Sequence, residues 1–188
     1  MSLEEVLRFR EKKALLQEKM IRENPGAVIV SLGMNIPGPV KSGPMIYAAF
    51  REGLERLEEL SGKKKGMRTV KVLMEEAAGY AAVCLAKEQD PYSVKRAAIR
   101  LEESHPLGRL WDIDVFQDSP EAVSRETVGA ERRTCLLCGR DAKECARSRR
   151  HDIRKLQDKV TEIIAFVPSS WKWRCRDWSI TIRRKRFL

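Results

Sequence analysis

Residues Leu101 to Val115 read LEESHPLGRLWDIDV, and this stretch decides how the rest of the chain is interpreted. Leu101 to Ser104 is compatible with a helix, and the helix should stop at His105 because Pro106 biases the residue before it away from helical geometry. Gly108 then permits a tight turn. From Leu110 the order Leu-Trp-Asp-Ile-Asp-Val alternates, and a period of two sends Asp112 and Asp114 to one face of a strand and Trp111, Ile113 and Val115 to the other. A helix that ends, turns and feeds a half-buried strand points to an α+β architecture.

Two carboxylates side by side raise each other's pKa unless a cation lies between them. Hard oxygen ligands on a rigid strand suit Mg²⁺ held together with substrate phosphates. The plain alternative is a solvated strand face at a sheet edge. His105 and Arg109 precede the pair, bringing a titratable ring and a phosphate-seeking guanidinium towards the same place.

With the later Arg132-Arg-Thr-Cys-Leu-Leu-Cys138 and Cys145-Ala-Arg147, this stretch closely resembles the citrate lyase holo-acyl-carrier-protein synthase family, also called apo-citrate lyase phosphoribosyl-dephospho-CoA transferases. The resemblance implies a nucleotidyltransferase-like reaction. A serine hydroxyl of the apo acyl carrier protein of citrate lyase attacks the α-phosphorus of 2'-(5''-triphosphoribosyl)-3'-dephospho-CoA, and diphosphate leaves. Under that reading Asp112 and Asp114 hold Mg²⁺, and Arg109, Arg125 and Lys41 stabilise charge gathering on the diphosphate. One of the aspartates or His105 takes the serine proton. Glu103, Asp118 and Glu126 are all candidates for a third metal carboxylate. The family also carries an Arg-acid-x-Arg…Gln pattern near its start, which Arg10 and Gln17 match, with Lys12 or Lys13 where an arginine is usual.

The 188 residues are 43% hydrophobic, enough for one good core in a single domain. We expect a transferase domain over 1–168 and a basic, Trp-rich extension over 169–188. The net charge is +10, and Trp171 to Leu188 holds seven basic residues against one acid, so the body is only mildly basic. That balance suits an acidic substrate or partner. No apolar run is long enough to span a membrane and the charged N-terminus is no signal peptide, so a cytoplasmic protein without a membrane partner is expected.

The remaining elements follow from periodicity. Ser2 to Asn24 is an amphipathic helix. Ala27 to Met34 is a buried strand leading into Asn35 to Lys41, a Pro- and Gly-containing loop in which Gly38 lets a ligand approach the backbone and Lys41 supplies a charge for phosphate. Met45 to Leu60 is a second helix. Thr69 to Met74 and Gly79 to Ala86 form a hairpin around Glu75 to Ala78. Asp90-Pro91 opens a helix whose Lys95, Arg96 and Arg100 should face solvent. Ala122 to Glu126 should pair with the Asp-x-Asp strand, and Asp152 to Val167 is a packing helix. The sheet should be mixed or antiparallel, with helices on one side of it.

Cys135, Cys138, Cys145 and His151 form a C-x2-C-x6-C-x5-H series, whose thiolates and imidazole suit tetrahedral Zn²⁺, although reduced, partly buried cysteines fit the spacing as well. This series and the Trp-basic tail are what a nucleic-acid-binding module would rest on, and a non-catalytic assembly factor for the lyase is a further alternative. Under the transferase reading, triphosphoribosyl-dephospho-CoA and the carrier protein are the partners, and nucleic acid is not.

Overall fold

Ser2 starts the first helix through a capping box: its side chain accepts the Glu5 N–H, and the Glu5 carboxylate accepts the Ser2 N–H at 2.6 Å. The computed structural model describes residues 2–60, 71–86 and 89–166. Helix α1 (Leu3–Glu23) leads to β1 (Val28–Met34), α2 (Pro44–Leu60), the strands β2 (Lys71–Glu76) and β3 (Gly79–Ala86), α3 (Pro91–Ser104) and β4 (Trp111–Phe116). Helices α4 (Ala142–Arg147) and α5 (Ile153–Ile164) follow. The sheet order is β2-β3-β1-β4, and every neighbouring pair is antiparallel. The β2–β3 hairpin is tighter than its sequence suggests, because β2 runs on through Glu76 and leaves Ala77-Ala78 as the turn.

Helices cover both faces of the sheet, which corrects the one-sided arrangement read from the sequence. The reason lies in the central strands: all eight residues of β3 are buried, as are the first six of β1. A strand apolar on both faces must be covered on both. On one face α1 sets Met20 and Ile21 over Ile29, Val83, Leu85 and Phe116, with Phe9 against Ala78 and Ala81. On the other, Phe50 and Leu54 of α2 and Val160 and Ile163 of α5 join Leu32, Trp111, Ile113 and Val115 in the main core.

Trp111 anchors that core. It is fully buried, and its indole N–H donates to the Ala49 carbonyl at 2.9 Å. Gly53 exists to admit it, since a Cβ at that position would lie 2.7 Å from Trp111 Cε2 and Nε1. Gly53→Ala should therefore destabilise the protein by about 1–3 kcal/mol through overpacking, despite alanine's better helix propensity. Urea unfolding checks this, and an unchanged midpoint would mean that the ring has room to shift.

Strand β4 lies at the edge of the sheet, and side chains satisfy its outward-facing backbone. Lys95 Nζ donates to Ile113 O (2.8 Å), the Ile113 N–H donates to Glu102 Oε1 (2.9 Å), and Arg133 Nη2 donates to Trp111 O. Lys95 and Glu102 sit two turns apart on one side of α3 and are only 7% and 4% exposed. The solvent-facing position read for Lys95 is thus corrected. Because the edge is occupied in this way, 122–126 does not form the strand expected of it. A lone bond from Val123 N–H to Val115 O (2.8 Å) remains, and Arg125 leads into a 3-10 turn, Glu126–Val128. The expected extension, 169–188, lies outside the described residues.

Candidate active site

Asp112 and Asp114 point away from Trp111, onto the face of the sheet that carries α1. Antiparallel pairing puts Gly33 opposite Asp112 and Ser31 opposite Asp114. Gly33 keeps the floor low there, since a Cβ would fall 3.2 Å from Lys13 Nζ. The space in front of the pair opens into a cavity of about 790 Å³ whose wall includes Arg10 and Lys13 of α1, Lys41, Arg125, Arg132 and Arg133. Its size is that of a small-molecule site, and its lining is rich in cations.

The aspartates differ in exposure, with side chains 53% exposed at Asp112 and 31% at Asp114. Lys13 Nζ stands 3.4 Å from Asp114 Oδ2, and Arg133 Nη1 stands 3.7 Å from Asp112 Oδ1. Both separations exceed those of tight charge-assisted bonds. Burial, and then the Asp112 charge, push the Asp114 carboxyl above its ordinary range, with Lys13 and Lys95 only partly offsetting them. Ser31 Oγ, fully buried opposite Asp114, has no hydrogen-bond partner among the described residues, and neither does Arg133 Nε. A carboxylate pair that its own lysines leave under-compensated, on a strand with an unused hydroxyl beside it, is a donor set that fits a hard divalent cation.

The other residues singled out from the sequence fall into two groups. Arg10, Lys41 and Arg125 line the cavity with the aspartates. Lys41 donates to Ile36 O, and burial followed by the Arg10 charge lowers its pKa. Arg125 is committed elsewhere: its Nη2 donates to Glu102 Oε2 at 2.5 Å and its Nη1 to Glu103 Oε1 at 2.7 Å. Arg109, Gln17, Gly38 and His105 do not line the cavity. Arg109 donates to Thr134 O. Gly38, at φ +89°, faces α5, where an added Cβ would meet Gln157 Nε2 at 2.5 Å.

His105 lies across the sheet from the aspartates. It packs on Trp111 at 4.6 Å between ring centroids and sets Nε2 3.6 Å from Glu52 Oε1. Burial holds its pKa below the ordinary histidine value, although Glu52 pulls the other way. A depressed folded pKa disfavours the charged ring. Its contribution to stability is therefore complete above the unfolded value of about 6.5 and is lost as the pH falls through the folded one. Thermal unfolding of the wild type should accordingly weaken between pH 7.5 and 5.5 more steeply than that of His105→Gln, and parallel curves would refute the assignment.

Of the three carboxylates considered for a third metal ligand, Asp118 accepts the Gly26 N–H at 2.7 Å, Glu103 pairs with Arg125, and Glu126, which lines the cavity, pairs with Arg132 at 2.9 Å. Lys13, Lys95, Glu102 and Arg133 complete the site. The signal for the last of these was its place beside the cysteine series, in Arg132-Arg133-Thr134-Cys135. The thiols of Cys135, Cys138 and Cys145 and the ring of His151 lie close together; none of the four lines the cavity, although their chain neighbours Glu144, Ala146 and Arg147 do.

A family model for apo-citrate lyase phosphoribosyl-dephospho-CoA transferase, CitX, matches residues 1–166. A probable apo-citrate lyase phosphoribosyl-dephospho-CoA transferase of Streptococcus pyogenes serotype M18 is 33% identical over 165 residues, covering 86% of this chain and 84% of its own. A Vibrio cholerae protein with the same description is 33% identical over 162 residues, 86% of this chain and 90% of its own. Protein CitXG of Haemophilus influenzae matches at 33% over 86% of this chain and 34% of its own length.

Proposed function

The chain belongs to the CitX family of apo-citrate lyase phosphoribosyl-dephospho-CoA transferases, and from that premise we propose that the cavity in front of β4 binds the triphosphate of 2'-(5''-triphosphoribosyl)-3'-dephospho-CoA for attack by a carrier-protein serine. The activity is that of a transferase installing the citrate lyase prosthetic group. In the finer reading the serine Oγ forms a bond to the α-phosphorus, the bond from that phosphorus to the β-phosphate bridging oxygen breaks, and diphosphate departs.

The observation that carries this reading is the pair Asp112 and Asp114 facing a basic cavity. Asp112 and Asp114 would hold Mg²⁺, which would supply charge neutralisation to the bound phosphates. Arg10, Lys13 and Lys41 approach from α1 and the loop after β1, where they bind and orient the phosphate chain and stabilise negative charge as it moves to the leaving diphosphate. Arg133, anchored to Trp111 O through Nη2, keeps Nη1 3.7 Å from Asp112 Oδ1. Both aspartates line the cavity and His105 does not, which supports an aspartate as the acceptor of the serine proton. Among the described residues no helix is long and apolar enough to cross a membrane.

The test is direct. Purified protein, apo carrier protein of citrate lyase, triphosphoribosyl-dephospho-CoA and Mg²⁺ are incubated together, and the carrier is weighed intact. The expected result is a mass gain of one phosphoribosyl-dephospho-CoA with diphosphate released. An unmodified carrier, in a sample that another enzyme of the family does modify, would sink the proposal.

A further inference from the structure

The stretch 129–152 forms one wall of the cavity through Arg132, Arg133, Asp141, Lys143 and Arg147, yet it has almost no core of its own. Cys145 is its sole buried residue. A segment of this length without apolar interior needs a staple. Its backbone is nonetheless specifically turned. Thr134 and Asp141 form an isolated antiparallel bridge, Cys135 N–H donates to Arg140 O (2.7 Å), and Ala142 N–H donates to Arg133 O (2.9 Å). Asp141 caps α4, which brings Cys145 back beneath the turn, and Arg149, at φ +47°, redirects the chain so that His151 closes the set.

The four ligand atoms all lie within 4.8 Å of one another, with Cys138 Sγ 3.6 Å from Cys145 Sγ and 3.3 Å from His151 Nε2. Tetrahedral zinc with Zn–S of about 2.3 Å and Zn–N of about 2.0–2.1 Å needs separations of about 3.8 Å between sulfurs and about 3.5–3.6 Å from sulfur to nitrogen. The gap of six residues between the second and third ligand is accommodated because α4 is a single short helix that doubles back. We propose that Cys135, Cys138, Cys145 and His151 bind a structural Zn²⁺ that folds 129–152 and thereby holds Arg132 and Arg133 against the cavity. All four positions are filled by protein, so the ion has no open site for substrate and its role is architectural. The proposal stands on these four side chains, independently of which reaction the cavity serves.

The test needs no activity measurement. The full-length protein, produced in zinc-supplemented medium and gel-filtered, should carry about one Zn²⁺ per chain by elemental analysis. Reconstitution with Co²⁺ should give the visible absorption of a tetrahedral thiolate complex. Cys135→Ala combined with Cys138→Ala should lose the metal, whereas Cys84→Ala, altered in the sheet core, and His151→Cys, which keeps four ligands, should retain it. In buffer with excess Mg²⁺, a zinc-selective chelator should open 129–152 to trypsin while the remainder resists. Substoichiometric zinc, zinc retained by the double variant, a Cys138–Cys145 disulfide in the purified protein, or a tryptic pattern indifferent to the chelator would each overturn it.

Discussion

Asp112→Asn combined with Asp114→Asn is expected to abolish carrier modification while the protein stays folded. Each substitution keeps the shape of the side chain and removes the charge that would bind the metal and receive the proton. Losing one preorganised charge contact in a phosphoryl-transfer site costs about 10²–10³-fold in rate, and the pair act as a unit, so the double variant should fall below detection. Folding should not suffer. Burial and the neighbouring carboxylate already disfavour the charged form of Asp114, so replacing it with a neutral amide relieves that cost. Intact mass of the carrier gives the rate and thermal unfolding gives the fold. A double variant that still modifies the carrier would move the chemistry elsewhere in the molecule.

Glu102→Ala should have the largest effect on stability. This carboxylate is 4% exposed and accepts from Ile113 N–H and from Arg125 Nη2, with Arg133 Nη2 3.8 Å away. Removing it leaves a backbone donor unpaired and takes the more buried of two counter-charges from each of two partly buried guanidiniums, Arg125 keeping Glu103 and Arg133 keeping Asp112, which costs about 3–5 kcal/mol. For a domain of this size that is a fall in Tm on the order of 10 °C. Glu103→Ala is the control: Glu103 contacts the same Arg125, but its side chain is 56% exposed, and its loss should cost under about 1 kcal/mol. If the two variants melt alike, Glu102 is not the keystone of the β4 edge.

The Asp-x-Asp strand was legible because local rules agree on it. Pro106 and Gly108 end one element, alternation starts the next, and the burial of Trp111, Ile113 and Val115 with the exposure of Asp112 follows the period of two. The helix starts at Ser2, Asp90 and Asp152 were legible for the same reason, each being a side chain that accepts an N–H of the first turn. Lys95 and Glu102 were not. On a helix two charges look like a solvated face, and nothing local says that a strand edge will run past them to receive their hydrogen bonds. The same tertiary fact removed the strand expected at 122–126. Nearness in sequence also suggested that His105 joins the aspartates, whereas the turn at Gly108 delivers it to the side of β4 that carries Trp111. A strand has two faces, and adjacency in the chain does not choose between them.

The side chains that close the β4 edge also decide how the molecule behaves in a crowd. An edge strand with free N–H and C=O groups is a template on which another extended chain can stack. Here an incoming strand would have to displace Lys95 and Glu102 from Ile113 and Arg133 from Trp111 before it could pair. The opposite border, β2, carries Glu75 and Glu76, held by Tyr47 Oη at 3.1 Å and Lys12 Nζ at 3.0 Å, and charged borders repel self-association. Variants that vacate the β4 edge thus lose solubility as well as stability, and precipitation on concentrating Glu102→Ala would be an early sign of sheet-to-sheet growth.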